Sequence, residues 1–321
     1  MVIDVLGKNW DPFMIRTLFS RIDANSDGQL TWSEFSEYSK ALVNIVIVSN
    51  HDKAASEVIM ESGHRVLGTP HREDIIKLEF VAKERKYVSV SRDGIVSLWN
   101  LNMELHRTID IMTLNTTSQA PYWIQDAKYI HEHSKLVLVS DDRQLRYYDI
   151  FGMAPRLIAK IISLEHTPLC ITIAEGFEEN LDLLIFGDDG GYLNILRMHR
   201  RFLIEKSGES KAGEIQAAQL LKSDSFQNNN ISLTRYKYHT GWVDRVNFYS
   251  ELNSVLSCCK DEKESMVFTD LLRRTSQTIS IPKGITCFDM SKRPCFIVTG
   301  GRDRCIRLWY NLYLSLGTLI Y

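Results

Sequence analysis

Cys295-Phe-Ile-Val-Thr-Gly-Gly-Arg-Asp-Arg-Cys-Ile-Arg-Leu-Trp309 is the stretch from which the fold is read. Phe296, Ile297 and Val298 form an apolar run suited to a strand. Gly300-Gly301-Arg302-Asp303-Arg304 supplies a tight turn, and residues 306–309 alternate apolar with charged side chains in the manner of a returning strand. Four earlier places repeat the scheme of apolar strand, acidic turn and outgoing strand. Their turn aspartates are Asp93, Asp142, Asp189 and Asp261, followed by Asp303, and most gaps are close to the ~40–45 residues of a propeller blade. The expectation is a mainly β chain of about five β-propeller blades over residues 71–310.

The first unit carries His71, Ser89, Asp93 and Trp99. This set is similar to the hydrogen-bonded tetrad of the WD-repeat family, in which the Asp holds the turn and binds the His, and a Ser or Thr links the His to the Trp ring. A buried polar network is stable only when each member is paired, so these residue types must occur together. The fourth unit repeats the spacing with His239, Ser257 and Asp261 but has Phe268 in place of Trp. The fifth keeps Thr299, Asp303 and Trp309 without a His. The second keeps the turn Asp141-Asp142-Arg143, with Leu138 at the hydroxyl position and Tyr148 at the Trp position. The third keeps Asp188-Asp189 between glycines, with Ile185 at the hydroxyl position. The long gap before the fourth unit contains a polar insertion, residues 206–230, expected as a surface loop with a short helix over residues 214–221.

Upstream, Asp11-Pro12 marks a helix start, and apolar residues follow at helical spacing to Ile22. Asp23-Ala-Asn-Ser-Asp-Gly-Gln-Leu-Thr-Trp-Ser-Glu34 then matches the twelve-residue calcium loop of an EF-hand. Calcium takes six to eight oxygens. Asp23, Asn25 and Asp27 would present side-chain oxygens, Gln29 its carbonyl, Thr31 a water, and Glu34 both carboxylate oxygens, while Gly28 allows the sharp turn. Such loops act in pairs; a second loop is absent, degenerate or supplied by another chain. An unpaired site is expected to bind calcium weakly, at roughly 10 µM or above. The EF-hand module spans residues 1–48 and a linker residues 49–70.

Together these motifs resemble the family that sets an EF-hand before WD-repeat propellers, of the WD repeat-containing protein 49 type. The resemblance covers about residues 10–310 and implies a calcium-binding scaffold for protein–protein interactions, associated with motile cilia and male germ cells. Five units fall short of the seven-bladed ring usual for such proteins. The apolar tail, residues 311–321, follows Tyr310 where the family ends its repeat with Asp or Asn. An incomplete ring and a shortened form of a longer protein are the expectations, with the tail as a candidate outer strand for the last blade.

Composition sets the remaining bounds. A net charge of −2 with 24% charged residues gives no reason to expect nucleic acid as a partner. The longest apolar run, residues 41–48, is too short to span a membrane. Six cysteines without a CxxC pair read as buried free thiols of a reducing compartment, consistent with a cytoplasmic or axonemal protein. His131-Glu-His133 reads as an exposed turn more readily than as a metal pair, and Arg197-Met-His-Arg-Arg201 as a solvated strand end. No nucleophile motif or phosphate loop is present, so the chain is not expected to be an enzyme. The alternatives are a constitutive scaffold without calcium control and, remotely, an enzyme using the propeller channel.

Overall fold

The strands Ile95–Trp99, Lys135–Ser140 and Leu181–Asp188 are buried at every position and read as near-continuous, mostly apolar runs and not alternating ones. A strand is buried on both faces when its sheet is packed between two others, and the chain is built in this way. The structure is a computed structural model. It describes residues 67–310 except 69, 115–120, 210–211, 223–225, 228–229 and 292–295, together with Ile22 and Thr31. The chain divides into two units at Val66/Leu67, and the β-structure belongs to the second.

Among the described residues there are five antiparallel sheets, one per sequence unit. The first is β1 (Ile75–Val81), β2 (Lys86–Ser91), β3 (Ile95–Trp99) and β4 (Leu105–Asp110), followed by the short helix α1 (Ile111–Leu114). The second is β5 (Ile124–Ile130), β6 (Lys135–Ser140), β7 (Gln144–Asp149) and β8 (Arg156–Ile162). The third is β9 (Pro168–Glu178), β10 (Leu181–Asp188), β11 (Tyr192–His199) and, after the insertion, β13 (Ile231–Lys237). The fourth is β14 (Arg245–Tyr249), β15 (Ser254–Cys258), β16 (Met266–Asp270) and β17 (Thr275–Ile279). The fifth is β18 (Ile285–Ser291), β19 (Phe296–Gly301) and β20 (Ile306–Tyr310). Inner strands of consecutive blades pack side by side, β1 on β5, β5 on β9 and β9 on β14. The hydrophobic core is accordingly divided into four layers, one in each seam between consecutive blades. The outer strands β4 and β17 are mostly polar and exposed, as the edge of a sheet must be.

The insertion is more than the expected surface loop: a nine-residue helix, α2 (Arg200–Gly208), leads into it and is followed by a strand, β12 (Gly213–Gln216). The expected short helix lies within residues 214–221 as α3 (Ala217–Leu220). β12 adds a fifth strand to the second blade, parallel to β8. Phe202, Leu203, Ala217 and Leu220 are buried in the layer between the second and third blades. These apolar residues sit among polar neighbours at irregular spacing, which hides the burial from a reading of composition. Apart from Ile22, Thr31 and residues 67, 68 and 70, the residues expected to form the EF-hand module and linker, and the tail at 311–321, lie outside the described residues.

Candidate functional site

The first blade closes its turn with a continuous relay. Trp99 Nε1 donates to Ser89 Oγ at 2.7 Å, and Ser89 Oγ lies 2.7 Å from His71 Nε2. His71 Nδ1 lies 2.8 Å from Ser91 Oγ, which donates to Asp93. The directions are consistent with a neutral His71 that donates from Nδ1 and accepts at Nε2. The sequence expectation placed Asp93 directly on His71; the structure inserts Ser91 between them. In the fifth blade Trp309 Nε1 donates to Thr299 Oγ1 at 2.9 Å, as expected.

The fourth blade requires a correction. His239 is fully buried and its Nε2 lies 2.8 Å from Ser257 Oγ, but its Nδ1 donates to the carbonyl of Glu264 at 2.6 Å and not to Asp261. Asp261 stays near the surface and accepts from the Lys263 amide at 3.0 Å. The carbonyl can only accept, so Nδ1 carries a proton, and in the neutral ring Nε2 accepts from Ser257.

Three blades replace the tetrad with a side chain from the third strand, a substitution not foreseen from sequence. Arg146 on β7 is 1% exposed; its Nη1 donates to Ser140 Oγ at 2.5 Å and to Asp142 Oδ1 at 3.1 Å, its Nη2 pairs with Asp142, and its guanidinium lies 3.9 Å from the Tyr122 ring centre. Ser140, not Leu138, is therefore the working hydroxyl. Arg307 takes the equivalent place on β20 and pairs with Asp303; that hydrogen bond holds the Asp303 carboxyl down at about 2. In the third blade Asn194 donates to Asp188 at 2.8 Å and accepts from Arg235 Nε at 3.1 Å. Asp188 is buried, and desolvation raises its pKa.

Burial lowers the pKa of His239 and of His71 below the ordinary 6.5. Lys237 lowers His239 further, while Glu264 and Asp244 act in the opposite direction. Below pH 6.5 the unfolded chain takes up protons that the folded chain refuses, so the stabilisation is complete above 6.5 and is lost as pH falls through the native values. Each unit by which the native pKa is lowered is worth about 1.4 kcal/mol. The urea midpoint is expected to be lower at pH 5.5 than at 7.5, with a shallower dependence in His239→Gln. Equal slopes in the two proteins would show that His239 is not the titrating group.

Ionisable groups on the inner strands pair across the seams. Lys77 meets Asp126 at 3.0 Å, Glu79 pairs with Lys128, and Asp126 also accepts from the Ile171 amide at 3.0 Å. Glu175 accepts from the amides of His131 and Glu132 at 2.7 and 3.0 Å. Residues 131–134 form a turn, as expected, but within it the His133 side chain is 9% exposed and lies 3.0 Å from the buried Asp182. His199 caps α2 by accepting from the Arg201 amide, so the Arg197–Arg201 stretch ends a strand and starts a helix. Cys170, Cys258 and Cys259 are buried free thiols as expected, but Cys287 and Cys305 are exposed.

Two further features are open to solvent. Strand register sets Ala127 opposite Leu138 and Val246 opposite Ser257, which makes Trp123 and Trp242 equivalent positions of the second and fourth blades. Each precedes the residue whose amide donates to the turn of the preceding blade, Ile124 to Arg92 and Val243 to Asp188. Both tryptophans therefore stand on the same rim, 45% and 64% exposed. The second feature is a cavity of about 230 Å³ in the seam of the third and fourth blades. Leu183, Ile195 and Leu271 line it with Phe177, Tyr236 and Tyr238; the two tyrosine rings are nearly parallel, 5.5 Å apart. Thr269 also lines it, 3% exposed, with an Oγ1 that has no hydrogen-bond partner. Glu178, Arg197, Asp270 and Arg274 complete the wall.

The predicted calcium ligands Asp23, Asn25, Asp27, Gln29 and Glu34 lie outside the described residues; nearby, Ile22 is helical and buried and Thr31 is exposed. Among the described residues no group of three His, Cys, Asp or Glu side chains is placed to hold a metal ion. No helix among them is long and apolar enough to cross a membrane.

Comparison with known proteins agrees with this geometry. Residues 274–310 match the family described as WD domain, G-beta repeat. The matched segment takes in β17 of the fourth blade and β18 to β20 of the fifth, so the sequence repeat straddles two blades. A curated relative, the WD repeat-containing protein on Y chromosome of Anopheles gambiae, is 22% identical over 239 residues, which cover 70% of this chain. The chain spans 22% of that relative's length. The described structure is mainly β, five blades of a propeller of WD-repeat type.

Proposed function

We propose that this propeller is a scaffold for other proteins and that Trp123 and Trp242 anchor a partner across its rim. The observation that carries the reading is the repetition of a large exposed aromatic at equivalent positions of two blades. The exposed part of each ring contributes nothing to the free chain, whereas Trp is enriched among the residues that dominate binding energy at interfaces. Rigid blades hold the two rings at a fixed separation, which lets one partner engage both without ordering a loop.

The test is co-precipitation from ciliated tissue with the native chain and with the Trp123→Ala/Trp242→Ala variant. The variant is expected to lose the partners while its urea midpoint stays within about 0.5 kcal/mol of native, as for surface changes generally. Undiminished capture by the variant would refute the rim as the binding face.

The finer reading is calcium control. The spacing of Asp23, Asn25, Asp27, Gln29 and Glu34 supports a calcium loop, in which a bidentate Glu34 would complete the oxygen shell. The likeness to EF-hand and WD-repeat proteins supports a place in ciliary or germ-cell assemblies. Calorimetry at millimolar calcium is expected to show heat that Glu34→Gln abolishes. Heat unchanged in that variant, or none in the native chain, rejects the loop as a calcium site; partner capture unchanged by chelator favours a constitutive scaffold.

A further inference from the structure

The cavity between the third and fourth blades opens beside the apolar layer of that seam and is walled by three aromatic and three aliphatic side chains. Its ~230 Å³ falls below the ~300–1,000 Å³ of sites that enclose a whole small molecule. It exceeds the 150 Å³ of an apolar cavity known to admit benzene. One bulky apolar side chain fits that size.

The polar groups narrow the class of occupant. Three of the four charged side chains are already engaged: Glu178 faces Arg197 at 3.5 Å, and Asp270 accepts from the amides of Leu272 and Arg273 at 2.9 and 2.8 Å. Arg274 is exposed and has no carboxylate partner among the described residues. A cation thus stands over an apolar hole.

We propose that this seam docks a peptide segment of another protein, in which a bulky apolar side chain enters the cavity and an adjacent carboxylate meets Arg274. The apolar body supplies affinity, and the charged contact sets the sequence preference. The site lies away from the tryptophan rim: Phe177 and Glu178 close β9 at the end opposite its rim-side start, and Leu271 follows the corresponding end of β16. It does not depend on the rim reading.

The test uses fluorescein-labelled peptides and anisotropy with the full chain. The probes are Ser-Gly-Glu-Phe-Glu-Gly-Ser and two derivatives, one with Ala for Phe and one with Lys for both Glu. The first is expected to bind saturably and the other two about tenfold more weakly. Arg274→Glu is expected to reverse the preference between the Glu and Lys peptides. Leu271→Trp, which fills the cavity from a partly exposed position, is expected to abolish binding, with folding of both variants checked by circular dichroism. The Trp123→Ala/Trp242→Ala variant should bind the first peptide as the native chain does. Absence of saturable binding, equal binding of the Phe and Ala peptides, or an unchanged preference in Arg274→Glu would each overturn the proposal. So would 3-phenylpropionate binding as tightly as the peptide, because the site would then recognise a free carboxylic acid.

Discussion

Arg146→Met is expected to destabilise the chain by about 3 kcal/mol, the lower end of the range for removing one partner of a buried ion pair. Methionine fills the aliphatic path of the arginine, so the change isolates the charged head. The loss leaves Asp142 without its bidentate partner, Ser140 without a donor and the Tyr122 ring without its cation. Asp142 keeps 24% of its side chain in contact with solvent, and water recovers part of the deficit. The double variant Arg146→Met/Asp142→Asn is expected to regain about half, because no unpaired charge remains. Arg273→Met is the control: its ion pair with Asp270 is long at 3.8 Å and the arginine is 74% exposed, so its effect should stay within about 0.5 kcal/mol. Urea midpoints of the four proteins check the set; equal midpoints for Arg146→Met and the native chain would mean that Arg146 is not held as described.

Gly191→Ala is expected to be the most damaging small substitution in the propeller. Gly191 has φ +75°, in the left-handed region that costs an ordinary residue about 1–2 kcal/mol. An added Cβ would also lie 2.1 Å from the carbonyl oxygen of His239 and 2.7 Å from that of Gly241. The His239 amide donates to the Gly191 carbonyl at 3.1 Å, so the two backbones are fastened together and cannot part without losing that bond. The sum of conformation and collision is about 4 kcal/mol or more, a size reached only by changes of this kind. Gly208→Ala, near the end of α2 with nothing within 4 Å of its added Cβ, should instead be neutral or slightly stabilising. A thermal scan of both variants decides the matter, and similar transition temperatures for the two would contradict the packing of the third blade on the fourth.

The legible parts of this fold are those whose cause is local. Turn aspartates at Asp93, Asp142 and Asp303 are visible because the turn chemistry lies within a few residues, and His71, Ser89 and Trp99 are visible because a known set of residue types recurs at a known spacing. What was hidden depends on register or on distant partners. Arg146 serves the turn only because β7 returns antiparallel to β6 and places it opposite Leu138, from where its head reaches Ser140, with Tyr122 arriving from the preceding loop. Asp182 meets His133 from 49 positions away, and Asp126 meets Lys77 across the same separation. The identical His–Ser–Asp spacing around His239 suggested the same network as in the first blade. The carbonyl of Glu264 nevertheless occupies Nδ1, an acceptor that carries no residue signature. The aligned tryptophans could be seen in sequence only after the strands had been put in register, and the cavity beside Thr269 required both blades.

The central claim, that one partner spans the rim between the second and fourth blades, is tested most directly by photo-crosslinking. A benzophenone amino acid replaces Trp123 in one protein, Trp242 in a second and Met153, which is fully exposed, in a third. The account predicts that the first two capture the same protein, through different peptides of it, and that the third does not. Different proteins at the two rim positions, or the same protein at all three, would contradict it.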